Sequence, residues 1–211
     1  ISVISAPELN ISAPADLKGQ KIGLPGLFGA NYIGLEAVLF SAGLTADDVT
    51  MDAIGFNQVE AYASGQTDIV VGYAANEPIV LAAQDFKLNE LRVADYVQLT
   101  ANGIVTSETT IANEPELVKG MARAFARGIT DTIANPDEAY EISLKYVENL
   151  KDQDKVVQMQ VLTTSIEFWQ AERIGFSDPQ AWENMNDLLV KMELISAPVD
   201  LSKAFTNEFV P

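Results

Sequence analysis

The chain contains no cysteine and no histidine. Without cysteine there is no thiolate nucleophile and no disulfide framework. Without histidine there is no imidazole to act as triad base or proton shuttle, and the Cys/His type of zinc site is gone as well. Basic residues are scarce: 13 Lys and Arg stand against 30 Asp and Glu, a formal net charge of −17. A field of that sign repels a phosphate backbone and an anionic lipid surface, so nucleic acid is not expected as a partner. No apolar run approaches the roughly 20 residues that cross a bilayer. The opening ISVISAPELNISAPADLKG lacks the basic start and apolar stretch of a signal peptide. Nor does the chain open on methionine, which points to a mature, processed or truncated form.

What remains is a globular composition. The 211 residues are 48% hydrophobic and 20% charged, enough for one medium domain or two small lobes at about 150 residues per domain. A core of that size needs no covalent staples.

From Gln20 to Tyr96 short apolar runs alternate with short amphipathic segments. Lys21–Leu24 reads as a strand, followed by the turn Pro25-Gly26-Leu27-Phe28-Gly29. Asn31 then stands where a helix cap belongs, with Ile33, Leu35, Val38 and Leu39 on one face and Gly43 as the stop. Met51–Ile54 is a second strand and Asn57–Ser64 a short helix. Asp68–Tyr73 is a nearly continuous apolar run, as a central parallel strand should be. Asn76–Gln84 is a third helix and Leu91–Val93 a fourth strand. The alternation predicts a small doubly wound lobe: a parallel sheet with helices on both faces.

Beyond Tyr96 the character changes. Asn102–Thr106 can form one more strand, and the rest reads as helix. Leu117, Met121, Phe125, Ile129 and Ile133 recur every four residues, an apolar stripe on a helix opened by Asn113 and Pro115. Asn135-Pro136 opens the next helix, carrying Ile142 and Tyr146. A third runs through Val157, Val161, Leu162, Ile166 and Trp169, and a fourth starts at Asp178-Pro179 and presents Trp182, Met185, Leu188 and Leu189. Both tryptophans lie on apolar faces and are expected in the core. Four such helices need an apolar partner: either one another, or a sheet this chain does not contain.

In open α/β sheets ligands lie at the carboxyl ends of the strands. That rule selects the loops Leu24–Tyr32, Ile54–Gln58, Tyr73–Glu77 and Asp95–Gln98. Their candidate ligand-binding side chains are Phe28, Asn31, Tyr32, Phe56, Asn57, Gln58, Tyr73, Asn76, Glu77 and Tyr96. Aromatic rings, carboxamides and one carboxylate suit a flat polar heterocycle, which rings stack on and amides read. Each has a plainer role: Asn31, Asn57 and Asn76 occupy cap positions, and Tyr32 and Phe56 can be packing. The turn PGLFGANY could cradle an anion on its backbone N–H groups, but it is neither a Walker loop nor GxGxxG, and it carries no Lys or Arg. No spacing gives a catalytic carboxylate pair, a nucleophile or a metal-ligand set; no cofactor and no enzymatic activity are expected.

Five stretches, DLKGQKIGLPG, YIGLEAVLFSAGL, VTMDAIGFNQVEAYASGQTDIVVGY with ANEP close behind, ANPDEAYEISLKYV and VDLSKAFTNEFVP, together resemble the NMT1/THI5-like group of solute-binding proteins. The resemblance runs over nearly the whole chain. It implies a type II periplasmic-binding-protein fold, two α/β lobes closing on a ligand, and service to an ABC permease for thiamine-pyrimidine precursors, riboflavin and related compounds. It implies an extracytoplasmic place, periplasmic or lipid-anchored at the cell surface. Residues 12–98 would be a complete second lobe, and 99–211 the return strand and helices of an incomplete first lobe. The expected function is therefore capture of a pyrimidine or thiamine-precursor compound. The alternatives are a riboflavin-binding member, or a truncated fragment that does not bind and oligomerises; a homo-oligomer or a companion N-terminal fragment would cover the helices. The resemblance also implies that the eukaryotic pyrimidine synthases of the group need His and a Cys-rich motif, and this sequence has neither residue, so their suicide-substrate synthesis is not expected.

Overall fold

The computed structural model describes residues 1–211 as two compact units, residues 1–99 with 184–197, and residues 100–183 with 198–211. The first is built on a five-stranded sheet: β1 (Ser2–Ser5), β2 (Lys21–Leu24), β3 (Thr50–Ala53), β4 (Ile69–Gly72) and β5 (Asn89–Arg92), in the order β3-β2-β4-β1-β5. β2 runs parallel to β3 along its whole length and meets β4 through one pair, Gly23 with Val70. β1 lies between β4 and β5 and is antiparallel to both. Four strands thus share one direction, as the alternating pattern implies, and β1 alone is reversed.

An all-parallel sheet is the point at which the sequence reading needs correction. β1 is four residues with no flanking helix pattern to announce it, yet all four are buried, as are all four of β4.

Three helices cover the sheet: α1 (Gly29–Ser41), α2 (Gln58–Ala63) and α3 (Glu77–Ala82). Strand alternation sorts the contacts. Ile22, Leu24, Ile69 and Val71 turn to the face holding Leu35, Val38 and Leu39 of α1. Val70 and Ile4 turn to the opposite face with Tyr62 of α2 and Leu81 of α3. Phe86 meets the Tyr62 ring edge-on at 5.6 Å. Leu188 and Met192 close the first core, and Asn184 Nδ2 donates to the Gln98 carbonyl at 2.8 Å.

The second unit is helical. It holds α4 (Glu108–Asn113), α5 (Pro115–Ala134), α6 (Pro136–Ser143), α7 (Lys155–Trp169), the start of α8 (Pro179–Lys191) and α9 (Leu201–Ala204). Several caps are as the sequence implies: the Asn135 side chain accepts from Glu138 N–H, and Asp154 accepts from Val156 N–H at 2.7 Å. Other expectations fail. Residues 102–106 form no strand; this unit has no neighbouring strand to supply ladder partners, and a lone strand is not stable. Asn113 ends α4 instead of opening α5, which starts at Pro115. α6 stops at Ser143, leaving Tyr146 beyond it and exposed. Trp169, at the last residue of α7, is 37% exposed and not core. Trp182 is half-buried and stacks on Phe205 with centroids 4.9 Å apart.

On α5 the inward face carries Val118, Ala122, Ala126, Ile129 and Ile133. Leu117, Met121 and Phe125 point outward, the last two 60% and 61% exposed.

One buried charge bears on stability. Glu36 of α1 is 2% exposed and its Oε1 has no partner. Burial pushes its carboxyl above the usual range, with the Tyr32 hydroxyl one turn back working against that. Below the unfolded carboxyl range near pH 4 both states are protonated and burial carries no ionic cost; the cost grows as pH rises through the folded pKa. Glu36→Gln should therefore gain stability over the parent as pH is raised from about 4 to about 7. Denaturant titrations across that range read the gap, and a gap that does not widen contradicts the assignment.

Candidate functional site

The chain's path over the sheet picks out one crevice. From β2 it moves through α1, on one face, outward to β3. It then returns past β2 through α2, on the other face, to β4, and continues through α3 on that same face to β5. The direction of winding reverses between β2 and β4, and a reversal of this kind opens a crevice at the carboxyl ends of the strands. The pairing agrees, for only Gly23 and Val70 join these two strands.

Two carboxamides fill the gap. Asn31 Nδ2 and Gln58 Nε2 both donate to the Val71 carbonyl, at 3.2 and 3.3 Å. Asn31 reaches it from α1 and Gln58 from α2. Asn31 is therefore no helix cap: Phe28 holds the N-cap position, Gly29 takes a φ of 71°, and Asn31 sits inside the helix. Asn57 and Asn76 do occupy cap positions, yet neither side chain accepts a capping bond; Asn57 Nδ2 donates to the Ile54 carbonyl instead. The shared carbonyl also settles which way the two buried amides face, because a flipped amide would set oxygen against oxygen. Asn31 Oδ1 is enclosed and has no partner, an arrangement that costs about 1–3 kcal/mol.

Glu77 completes the floor. It is buried at the first residue of α3, and its Oε2 accepts the Tyr73 N–H at 2.7 Å. Gly72 makes room for it, since a Cβ at that position would lie 2.7 Å from the carboxylate. Neither Gly72 nor the Val71 carbonyl is a sequence candidate: backbone atoms leave no mark in a residue list, and the only trace of Gly72 is a glycine ending an apolar run.

Around this floor the side chains are open. Phe28 and Phe56 are 62% and 79% exposed, and Tyr73 and Tyr96 are also exposed. They follow β2, β3, β4 and β5 respectively, all at the carboxyl edge. Leu27, exposed beside Phe28, belongs with them and was not among the sequence candidates. Asn57 and Asn76 are exposed and Tyr32 is half-buried. The Tyr32 phenol is pushed up by burial and then by the Glu36 carboxyl. At the opposite, amino end of the strands a shallow depression is lined by Leu9, Gln20, Lys21, Gln66, Thr67, Asp68 and Ile69; its Lys21 is engaged with Asp52 at 2.8 Å.

The carboxyl edge can stack a flat ring and read its polar edge. Its four loops contain no Lys or Arg, so it offers an anion no cationic side chain.

The family model described as NMT1/THI5 like matches residues 1–139. The riboflavin-binding protein RibY of Chloroflexus aurantiacus is 42% identical over 216 residues, covering 100% of this chain and 62% of RibY. A 4-amino-5-hydroxymethyl-2-methylpyrimidine phosphate synthase of Legionella pneumophila is 25% identical over 214 residues, 99% of this chain and 65% of the synthase. Among solved structures, the periplasmic aliphatic sulphonate binding protein SsuA of Escherichia coli superposes with a TM-score of 0.77 at 15% identity, over 97% of this chain and 64% of SsuA. At that identity the likeness speaks for the fold, an α/β fold of the type II periplasmic-binding-protein kind. The chain spans just under two thirds of the length of each of these three proteins. With two thirds of its residues under the family model, the chain belongs to the NMT1/THI5-like family.

Proposed function

We propose that this chain is the solute-binding part of an ABC-type importer and takes up a vitamin compound built on a pyrimidine ring. The observation that carries the reading is the set of open aromatic side chains around a buried Asn31–Gln58–Glu77 floor at the sheet's reversal point. Thiamine-pyrimidine precursors fit that chemistry as single aromatic rings with an amino edge. A second reading, riboflavin, is favoured by the likeness to RibY; its fused ring system also contains a pyrimidine ring. A sulphonate is disfavoured by the lack of any basic side chain in the four loops.

The role is binding and not catalysis. The likeness to a named synthase is the weaker one, at 25% identity against 42% for RibY. The partner that follows from the role is an ABC permease, and the place is extracytoplasmic. Residues 12–98 correspond to the second lobe of such a protein and residues 99–211 to part of the first. The outward stripe of Leu117, Met121 and Phe125 is then a face that a second copy or a companion segment covers. Each such side chain is worth about 1.5–3 kcal/mol when buried.

Two outcomes follow. Calorimetric titration with 4-amino-5-hydroxymethyl-2-methylpyrimidine and with riboflavin should give saturable binding of one of them, and Glu77→Ala should weaken it by about 1–3 kcal/mol by leaving a ligand donor unpaired. Binding of neither, or an unchanged affinity in Glu77→Ala, counts against this site. Sedimentation at about micromolar concentration should show self-association through the α5 stripe; a strictly monomeric, stable particle contradicts that part of the reading.

A further inference from the structure

The carboxyl edge has a polarity that the proposed function does not require. Asn31 and Gln58 each donate one N–H to the same acceptor, the Val71 carbonyl. A carboxamide anchored in this way is held in one orientation, with its oxygen turned away from the Val71 carbonyl and one N–H still free. Glu77, with Oε2 on the Tyr73 N–H, has only an oxygen left. Of the enclosed side-chain polar atoms, only Asn31 Oδ1 and Glu36 Oε1 lack a partner. Asn31 Oδ1 is sealed beneath the site, whereas Gln58 Oε1 is neither hydrogen-bonded within the protein nor sealed.

We infer that Gln58 is a specificity-determining residue whose Oε1 accepts a hydrogen bond from an N–H on the edge of the ligand ring, and that Asn31 is a positioning residue sharing its anchor. The inference rests on reading the carboxyl edge as the solute site. A ring that turns carbonyls or unprotonated nitrogens toward the unengaged Gln58 and Glu77 oxygens meets oxygen against oxygen. A ring that turns an amino group or an imide N–H toward them is bound. The anchor explains why Gln and not Glu stands at residue 58: a carboxylate there has no proton to give the Val71 carbonyl and would repel it. It also explains why α1 and α2, packed on opposite faces of the sheet, both send an amide to the same atom.

The test compares each ring with its N-methylated form on the whole chain. Riboflavin is set against 3-methylriboflavin, and 4-amino-5-hydroxymethyl-2-methylpyrimidine against its 4-dimethylamino analogue. For whichever ring binds, methylation should weaken binding to the unsubstituted protein about tenfold or more, the loss expected when a buried acceptor goes unpaired. Gln58→Leu should lower the affinity for the parent ring by a similar factor while leaving the methylated ring nearly unchanged, so that the preference disappears. Equal binding of parent and methylated ring by the unsubstituted protein overturns the inference, and that arm holds even if Gln58→Leu does not fold. A preference that survives intact in a folded Gln58→Leu variant also overturns it. Binding of neither parent ring overturns the proposed function and this inference with it, whereas the other two failures leave the proposed function standing.

Discussion

The Val71 carbonyl lies at the end of β4, where β2 and β4 have stopped pairing, and it accepts from two side chains at once. A sheet wound in two directions must open somewhere along this edge, and the backbone groups beside the opening must still be satisfied. Here the satisfaction comes from α1 and α2, one helix from each face. The consequence is geometric: the two helix starts are tied to a single point on the central strand, and the loops that precede them, bearing Phe28 and Phe56, are held at the rim. The next loop is tied separately by Glu77 to Tyr73 N–H, across the space Gly72 leaves free.

The same constraint sets the character of the site. The bonds that hold the structure also fix the orientation of the amides, leaving the Gln58 oxygen and one Glu77 oxygen unengaged. With no basic side chain in the four loops, the edge is suited to uncharged or donor-bearing rings and not to anions. The likeness of 0.77 in TM-score to a sulphonate-binding protein speaks for a shared scaffold, and a scaffold by itself does not set the ligand.

Much of this was legible in the residues. Apolar runs at Lys21–Leu24 and Ile69–Gly72, glycines after the helices, and the strand-end rule locate four parallel strands and the four loops. β1 was not legible: four residues without a periodic neighbour look like any extended tail, and only burial on both sides makes them a central strand. Nor was the role of Asn31. Local cap preference and a long-range bond to residue 71 draw on the same residue type, and the sequence does not say which partner prevails. In the helical unit, the four-residue period of Leu117, Met121 and Phe125 correctly marks a helix but not its inward side, which carries the smaller Ala122 and Ala126.

Amide hydrogen exchange read by mass spectrometry, with and without saturating riboflavin or 4-amino-5-hydroxymethyl-2-methylpyrimidine, tests the location of the solute site most directly. Ligand-dependent protection is expected in residues 24–32, 54–58 and 73–77, with residues 66–68 at the amino end of β4 unaffected. Protection confined to residues 66–68 and Gln20, or spread over the helical unit while the three loops exchange as before, would contradict it.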